Sequence, residues 1–323
     1  MTRLLSRADV AAVLTIQDCI VAVEGAFRDY ATGRLARPAS LGLRAEHGTF
    51  HVKAARGDVF AAKINANFPG NPATHGLPTI QGVIVLMDVT RGLPLAILDS
   101  TVITTMRTAA ATAVAAKYLA RTHAATAAVI GCGALGQATL GALCAVRPLR
   151  RVSFWDASEA ARDRCGRTVT RADDVEIVLA PSLEAALAGA DIVATCTSAT
   201  RPFLEARHAR PGLFIAAAGA DNPEKSEIAP ELMAKVRIVT DLTDQAAAMG
   251  DLRHAITAGL LTIGDVHGEL GQVIAGRIPG RERRDQVFLF DSTGTALQDL
   301  VVASLAHDRA AQQGLGSELA FHP

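Results

Sequence analysis

Residues 125–145 read ATAAVIGCGALGQATLGALCA, and this stretch decides the fold. An apolar run, Ala127 to Ile130, leads straight into Gly131-Cys132-Gly133-Ala134-Leu135-Gly136, and a small-residue, helix-prone segment follows. That order predicts a strand, a tight glycine turn and a helix. Gly131 permits the sharp turn, Gly133 lets the backbone approach a pyrophosphate, and Gly136 lets the helix pack close against its strand. Ala134 and Leu135 open the helix, whose unpaired N–H groups and positive dipole end attract phosphate.

The glycine spacing by itself also fits a turn before any buried helix, so its surroundings carry the weight. A second apolar segment, Arg151 to Trp155, ends in Asp156. This acid lies about 20 residues past the glycines, where a carboxylate binds the adenosine ribose hydroxyls of a dinucleotide. It also repels the extra phosphate of NADP, while Arg151 and Arg162 lie near in sequence and act the other way. The expected cofactor is NAD(H), with NADP(H) as the alternative.

From His123 onward the alternation continues, with strands at 127–130, 151–155, 175–179, 191–196, 213–218, 236–240 and 287–290 and helices after Ala134, at 157–170 and at 182–189. Short connections between such elements predict an α/β fold with a Rossmann-type doubly wound parallel sheet. The first third of the chain reads differently. Val10, Val13, Leu14, Ile20, Val23, Phe27 and Tyr30 recur at helical spacing over residues 8–33, and Gly33 can end the run. After Pro38 the period shortens: Leu41, Leu43, Phe50, Val52, Phe60 and Ala62 fall in alternating segments broken by Gly48 and Gly57, and strands follow at Gln81–Asp88 and Pro94–Leu98. This predicts an antiparallel meander. A helix over Thr101–Ala120 leads out of it, and a last helix, Thr295–Gln313, is expected to return to it. The expectation is a smaller α+β domain over 1–120, completed by 300–323, and a dinucleotide-binding domain over 121–299.

The 323 residues are enough for two cores, and the 32 basic and 32 acidic residues cancel. Such balance excludes a nucleic-acid surface or a polybasic membrane patch as the main theme. The longest uncharged stretch, Ala124 to Val146, has the length of a membrane span but contains the glycine turn and Gln137, so it reads as soluble. Arg3, Arg7 and Asp9 interrupt the N-terminus; no signal peptide is expected, and the cytoplasm is the expected compartment. Five cysteines (Cys19, Cys132, Cys144, Cys165, Cys196) are scattered without metal-ligand spacing. They read as reduced core residues, and no metal site is expected. Cys132 reads as a small side chain tolerated beside the cofactor, with a catalytic thiol as the alternative.

The stretches AKINANFPGN (62–71), GVIVLMD (82–88), GLPLAILD (92–99), ITTMRTAA (103–110), the glycine turn and GADNPEKSE (219–227) follow in that order. Together they resemble the ornithine cyclodeaminase/mu-crystallin family over nearly the whole chain. The resemblance implies an N-terminal substrate domain completed by the C-terminal helix, an inserted NAD(P)-binding domain, and a homodimer formed through the substrate domain. It also implies chemistry at a C=N bond beside a carboxylate: reduction of cyclic ketimines and α-imino acids, reductive amination, cyclodeamination of ornithine, or dehydration of a 3-hydroxyproline.

Such a substrate needs a cation for its carboxylate, a proton donor or acceptor for its nitrogen, and a nicotinamide face. Lys63, after the apolar Phe60-Ala61-Ala62, reads alone as a snorkelling surface lysine; by the resemblance it is the family's active-site lysine, a substrate contact and proton carrier. Arg107, among Thr104, Thr105 and Thr108, has a guanidinium suited to clamping a carboxylate in bidentate fashion. A helix-surface arginine is the plainer reading. Arg44 is a weaker second carboxylate partner. Asp221 follows the apolar strand Leu213–Ala218 at the carboxyl end where open α/β sheets place ligands. The resemblance gives it contact with the substrate nitrogen or an attacking water; a turn cap with Asn222-Pro223 is the alternative.

One position departs from the family. Where ornithine cyclodeaminases carry a glutamate for the distal ammonium, this chain has His51, and Lys53 shares its face if the segment is a strand. A cationic pair repels ornithine and suits a neutral polar group or a second carboxylate. Thr79 and Gln81 are further hydrogen-bonding candidates. His75 reads as a loop residue. On the cofactor side, Thr195, Thr197 and Ser198 follow an apolar strand, and Asp291-Ser292-Thr293-Gly294 resembles the family's loop near the nicotinamide. The leading expectation is NAD(P)H-dependent reduction of a small α-imino acid or cyclic ketimine, of the Δ1-pyrroline-2-carboxylate or iminosuccinate type, to the L-amino acid. The alternatives are a lyase of the same family and a mu-crystallin-like NADPH- and ligand-binding protein.

Overall fold

The computed structural model describes residues 1–169 and 174–321. Residue 170, the end of the predicted helix 157–170, and residues 322 and 323 of the predicted segment 300–323 lie outside them. The chain divides into two compact units, Met1–Arg107 with Thr295–Pro323, and Thr108–Gly294.

The first unit runs β1 (Thr2–Leu5), α1 (Arg7–Val13), α2 (Ile16–Ala31), β2 (Ala39–Ala45), β3 (Gly48–Arg56), β4 (Val59–Asn67), the single turn α3 (Asn71–Thr74), β5 (Ile80–Asp88), β6 (Pro94–Asp99) and the start of α4 (Ser100–Leu119). The second unit holds the rest of α4, then β7 (Thr126–Ile130), α5 (Ala134–Cys144), β8 (Arg151–Trp155), α6 (Glu159–Thr168), β9 (Glu176–Leu179), α7 (Leu183–Leu187), β10 (Ile192–Thr195) and β11 (Phe214–Ala217). It continues through α8 (Pro230–Met233), β12 (Arg237–Thr240), α9 (Thr243–Met249), α10 (Asp251–Thr257), β13 (Gly268–Glu269), α11 (Leu270–Ile274) and β14 (Phe288–Asp291). The chain then rejoins the first unit as α12 (Ala296–Gln313) and β15 (Ser317–Leu319).

The helical spacing over 8–33 resolves into two helices, meeting at 87°. The reason is local: Ser6 caps α1 by accepting from Asp9 N, and Thr15 caps α2 by accepting from Asp18 N. A capping threonine adopts extended backbone, which stops the first helix as it starts the second. Among the described residues, no single helix is long and apolar enough to cross a membrane.

The first unit's sheet has the order β15-β1-β6-β5-β4-β3-β2. Its β2-to-β6 part is the expected antiparallel meander, while β1, too short to read from periodicity, pairs parallel to β6. Helix α12 packs across β3, β4 and β5 and against α2. Register assigns the two faces. Lys53, Lys63, Ile84 and Leu98 form one cross-strand row, three of them buried apolar or charged neighbours of Lys63. Leu41, Val52, Ile64 and Val83 form a row on the opposite face. On that second face Leu41, Leu43, Phe50, Ile64 and Val83 are 40–56% exposed.

In the second unit the order is β13-β12-β14-β11-β10-β7-β8-β9, parallel throughout. This is the expected doubly wound sheet. Its inner strands β7, β10, β11 and β14 are buried on both faces, which is why they read as unbroken apolar runs; Phe154, Phe214, Phe288 and Phe290 are among the sheet's fully buried side chains. The order of strand addition reverses between β7 and β10, because β8 and β9 lie on one side of β7 and β10 and β11 on the other. Open α/β sheets bind ligands at the carboxyl ends beside such a switch point.

Candidate functional site

The glycine turn sits at that switch point, immediately after β7. Gly131 has φ +110°, and a Cβ there would lie 2.7 Å from the Cys196 carbonyl oxygen. At Gly136 a Cβ would stand 1.9 Å from the Gly131 carbonyl oxygen, so only glycine lets α5 lie this close to its strand. Gly133 caps α5 with no side chain, and a Cβ there meets nothing within 4 Å. The space beyond the first N–H groups, at exposed Gly133 and Ala134 and half-buried Leu135, is therefore open. A pyrophosphate fits such a cradle. Asp156 lies at the end of β8; its carboxylate accepts from Cys132 N and Ser158 N, each at 2.9 Å, which fixes it beside the turn. Burial, with Cys165 and Asp156 nearby, pushes the Cys132 thiol up to about 12, away from nucleophilic use.

The loops after β10, β11 and β14 are tied by buried acids. Glu227, fully buried, accepts from Thr195 Oγ1 (2.6 Å), Thr197 N (2.7 Å), Thr197 Oγ1 (2.6 Å) and Gly219 N (2.9 Å). Asp251 accepts from Glu227 N and Ile228 N, Asp291 from Leu252 N, and Asp241 from Gly294 N and Thr293 Oγ1. Burial pushes the Glu227 carboxyl up, against the pull of its four donors, and pushes Asp251 up to about 7. Thr195, Thr197 and Thr293 are the cofactor contacts expected from sequence. Here their hydroxyl protons go to Glu227 and Asp241, so towards a ligand these groups offer lone pairs only. Ser198 is exposed on the same loop.

Asp221 stands beyond β11, paired with Lys225 at 2.7 Å, and Lys225 Nζ also donates to the Gly219 carbonyl at 3.1 Å. The turn cap is Asn222, whose Oδ1 accepts from Glu224 N at 3.0 Å. Lys225, Glu227, Asp241 and Asp251 were missed from sequence, although Lys225 and Glu227 belong to the GADNPEKSE stretch.

In the first unit Lys63 lies in the middle of β4, and only 3% of it is exposed. Its Nζ is 2.8 Å from Asp299 Oδ1, 2.7 Å from Oδ2 and 3.5 Å from Thr104 Oγ1. Arg107, in the second turn of α4 and equally buried, donates from Nε to Asp299 Oδ1 and from Nη1 to Gln298 Oε1, each at 3.0 Å. Among the described residues, Gln298 Nε2 is buried without a partner. Burial lowers Lys63 to about 7; Asp299 holds it up, while Arg107 and Lys53 push it further down. Burial raises Asp299, and the ion pairs with Lys63 and Arg107 more than reverse that, leaving it below its ordinary value. The surface readings of Lys63 and Arg107 are thus excluded.

Lys53, 7% exposed, faces the same side as Lys63, opposite it across β3 and β4. His51 follows on that face, partnered with Asn65 across the strands, and Asn65 accepts from Ser100. Arg44 is exposed on the edge strand β2, and Thr79 is half-buried just before β5, its carbonyl accepting from Phe68 N. Asp299 and Gln298 were not foreseen. A signal existed: Asp299 keeps the helical spacing of the buried Ala296, Ala303, Ala306 and Ala310, and a charge on an apolar helix face needs a partner.

The chain is similar over its full length to known proteins. It is 34% identical to an archaeal alanine dehydrogenase solved as a dimer with bound NAD, with a TM-score of 0.93 and 99% of each chain covered. It is 29% identical to the Thermococcus litoralis Δ1-pyrroline-2-carboxylate reductase solved with NADH and L-proline, with a TM-score of 0.94 over 98% of this chain and 100% of that one. It is also 35% identical over 264 residues to the iminosuccinate reductase of Paracoccus denitrificans, covering 81% of this chain and 80% of the relative. The ornithine cyclodeaminase/mu-crystallin family profile matches residues 1–314, and the chain belongs to that family.

Proposed function

We propose that this protein is an NAD(H)-dependent reductase of a small α-imino acid or cyclic ketimine, of the Δ1-pyrroline-2-carboxylate or iminosuccinate type, forming the L-amino acid. The observation that carries the reading is the buried Lys63–Asp299–Arg107 cluster, in a chain that matches NAD-bound amino-acid enzymes from end to end. The second unit is the proposed dinucleotide domain, with Gly131, Gly133, Ala134, Leu135, Gly136 and Asp156 holding NAD. When bound, the nicotinamide supplies or accepts the hydride at the imine carbon.

The chain's own residues do the rest. Arg107 holds the substrate carboxylate, since its guanidinium stays charged at any working pH. Lys63, which burial brings close to neutrality, gives a proton to the nitrogen as the C=N bond is reduced. Asp221 orients that nitrogen. Lys53 adds positive charge and His51 an imidazole on the same sheet face, which supports a second carboxylate or a neutral polar group in the substrate and disfavours ornithine. The cytoplasm is the proposed compartment.

The test is NADH and NADPH oxidation by the purified protein with Δ1-pyrroline-2-carboxylate, Δ1-piperideine-2-carboxylate, and pyruvate, glyoxylate and oxaloacetate each with ammonia. Rapid NADH oxidation with one member, much slower with NADPH, is the expected result. Tightly held NAD with no net oxidation would instead point to a lyase, to be tried on ornithine and cis-3-hydroxyproline.

The first unit is the proposed dimerisation surface. Its sheet face of Leu41, Leu43, Phe50, Ile64 and Val83 is half-exposed and apolar, and contiguous apolar patches of this kind mark interaction sites. A second copy is the proposed partner, supported by the dimeric alanine dehydrogenase. Ile64→Asp and Val83→Asp place a charge in the middle of this face. Both variants are expected to sediment as monomers where the native protein sediments as a dimer; unchanged sedimentation would remove this surface from the interface.

A further inference from the structure

We propose that Asp299 positions the Lys63 ammonium for proton transfer and keeps it charged, a role that rests on the reductase reading above. Lys63 comes from β4, Arg107 from α4 and Asp299 from the first turn of α12. Three stretches far apart in sequence converge on one carboxylate, whose Oδ1 takes both Lys63 Nζ at 2.8 Å and Arg107 Nε at 3.0 Å. That shared oxygen fixes the spacing between the proton donor and the carboxylate clamp. In an α-imino acid the nitrogen and the carboxylate flank a single carbon, so the spacing of their partners matters.

The charge balance gives Asp299 its second task. The groups facing Lys63 are Asp299 from α12, Arg107 and the Thr104 hydroxyl from α4, and Lys53 from β3. Asp299 is the carboxylate that Lys63 and Arg107 share, and Lys53 adds its positive charge to theirs. Lys53, Lys63 and Arg107 are each at most 7% exposed, so water screens their repulsion poorly. Without the carboxylate, the cation that discharges is a lysine, because the arginine cannot. Lys63, already the more buried of the two lysines, is the one that loses its proton.

The test is Asp299→Asn, which keeps an oxygen for both donors and removes the charge. The readout is kcat/KM for imine reduction across pH, with the KM for NADH measured alongside. In reduction Lys63 must be protonated, so activity falls as pH rises through its pKa. Loss of Asp299 lowers that pKa, and the falling limb should move down by about one unit, an approximately tenfold loss on the alkaline side. The KM for NADH should stay within about twofold, since the change leaves cofactor binding alone. A limb that stays in place overturns the proposal, as does a loss uniform across pH with a raised KM for NADH. If the Asn chain does not fold, Asp299→Ala assayed with and without formate takes its place: restored alkaline activity supports the role, and indifference to formate overturns it. A native protein that reduces no imino acid refutes the reductase reading instead. The titration of Lys63, followed by NMR in the native and Asp299→Asn proteins, then still decides whether Asp299 sets its charge.

Discussion

Lys63→Met is expected to lower kcat for imine reduction by about 10²–10⁴-fold, the usual contribution of a positioned general acid. Methionine matches the length of the lysine stem and fills irregular apolar space, so packing between Ile84 and α12 survives. Arg107 still pairs with Asp299 in the variant, which keeps that carboxylate from being buried alone. NADH binding, read by fluorescence titration, should change little, because Lys63 bonds to Asp299 and Thr104 and the change leaves the glycine turn as it is. The pH profile adds a separate sign. With Lys63 at about 7, native reduction falls as pH rises through neutrality, while amino-acid oxidation, which needs the neutral amine, rises. Both slopes should flatten in Lys63→Met. A variant with native kcat would remove Lys63 from the chemistry.

Glu227→Gln should give a large loss of stability. Each Glu227 oxygen accepts from a backbone N–H: Oε1 from Thr197 and Oε2 from Gly219. Hydroxyl groups of threonine can rotate away from a new donor, but backbone N–H groups cannot. Whichever end of the glutamine becomes the amide NH2 therefore faces an N–H donor, and the charge that strengthened all four bonds is gone. Space offers no escape, since a Cβ on Gly219 would already lie 2.5 Å from the Glu227 carboxylate. A cost of about 3 kcal/mol or more is expected, seen as a melting temperature lowered by several degrees and a raised KM for NADH. A melting temperature unchanged from the native protein would show that the loops after β10 and β11 do not depend on this brace.

These two residues differ in how they could be found. Lys63 stands inside a contiguous stretch, AKINANFPGN, that identifies it. Glu227 closes another such stretch, yet nothing in its neighbourhood says that its carboxylate will be buried with four donors from two loops. Asp299 is further still from sight, because its partners are 236 and 192 residues away.

The sequence by itself determined the glycine turn, the acid after β8, the parallel sheet and the antiparallel meander. Those features are local: strand and helix periods, glycine positions and apolar runs are set by neighbours within a few residues. It also named Lys63, Arg107 and Asp221, through stretches whose order matches a family. The break between α1 and α2 was legible in principle from the caps Ser6 and Thr15, but the apolar spacing runs through it. Only the tertiary structure decided that Lys63 and Arg107 are buried and not surface cations, that Asp299 and Gln298 meet them, and that Glu227, Asp251, Asp291 and Asp241 tie the loops at the sheet's carboxyl edge. Each of these depends on charges brought together by the packing of distant elements, and burial, which sets their strength and their protonation, is a property of the folded whole.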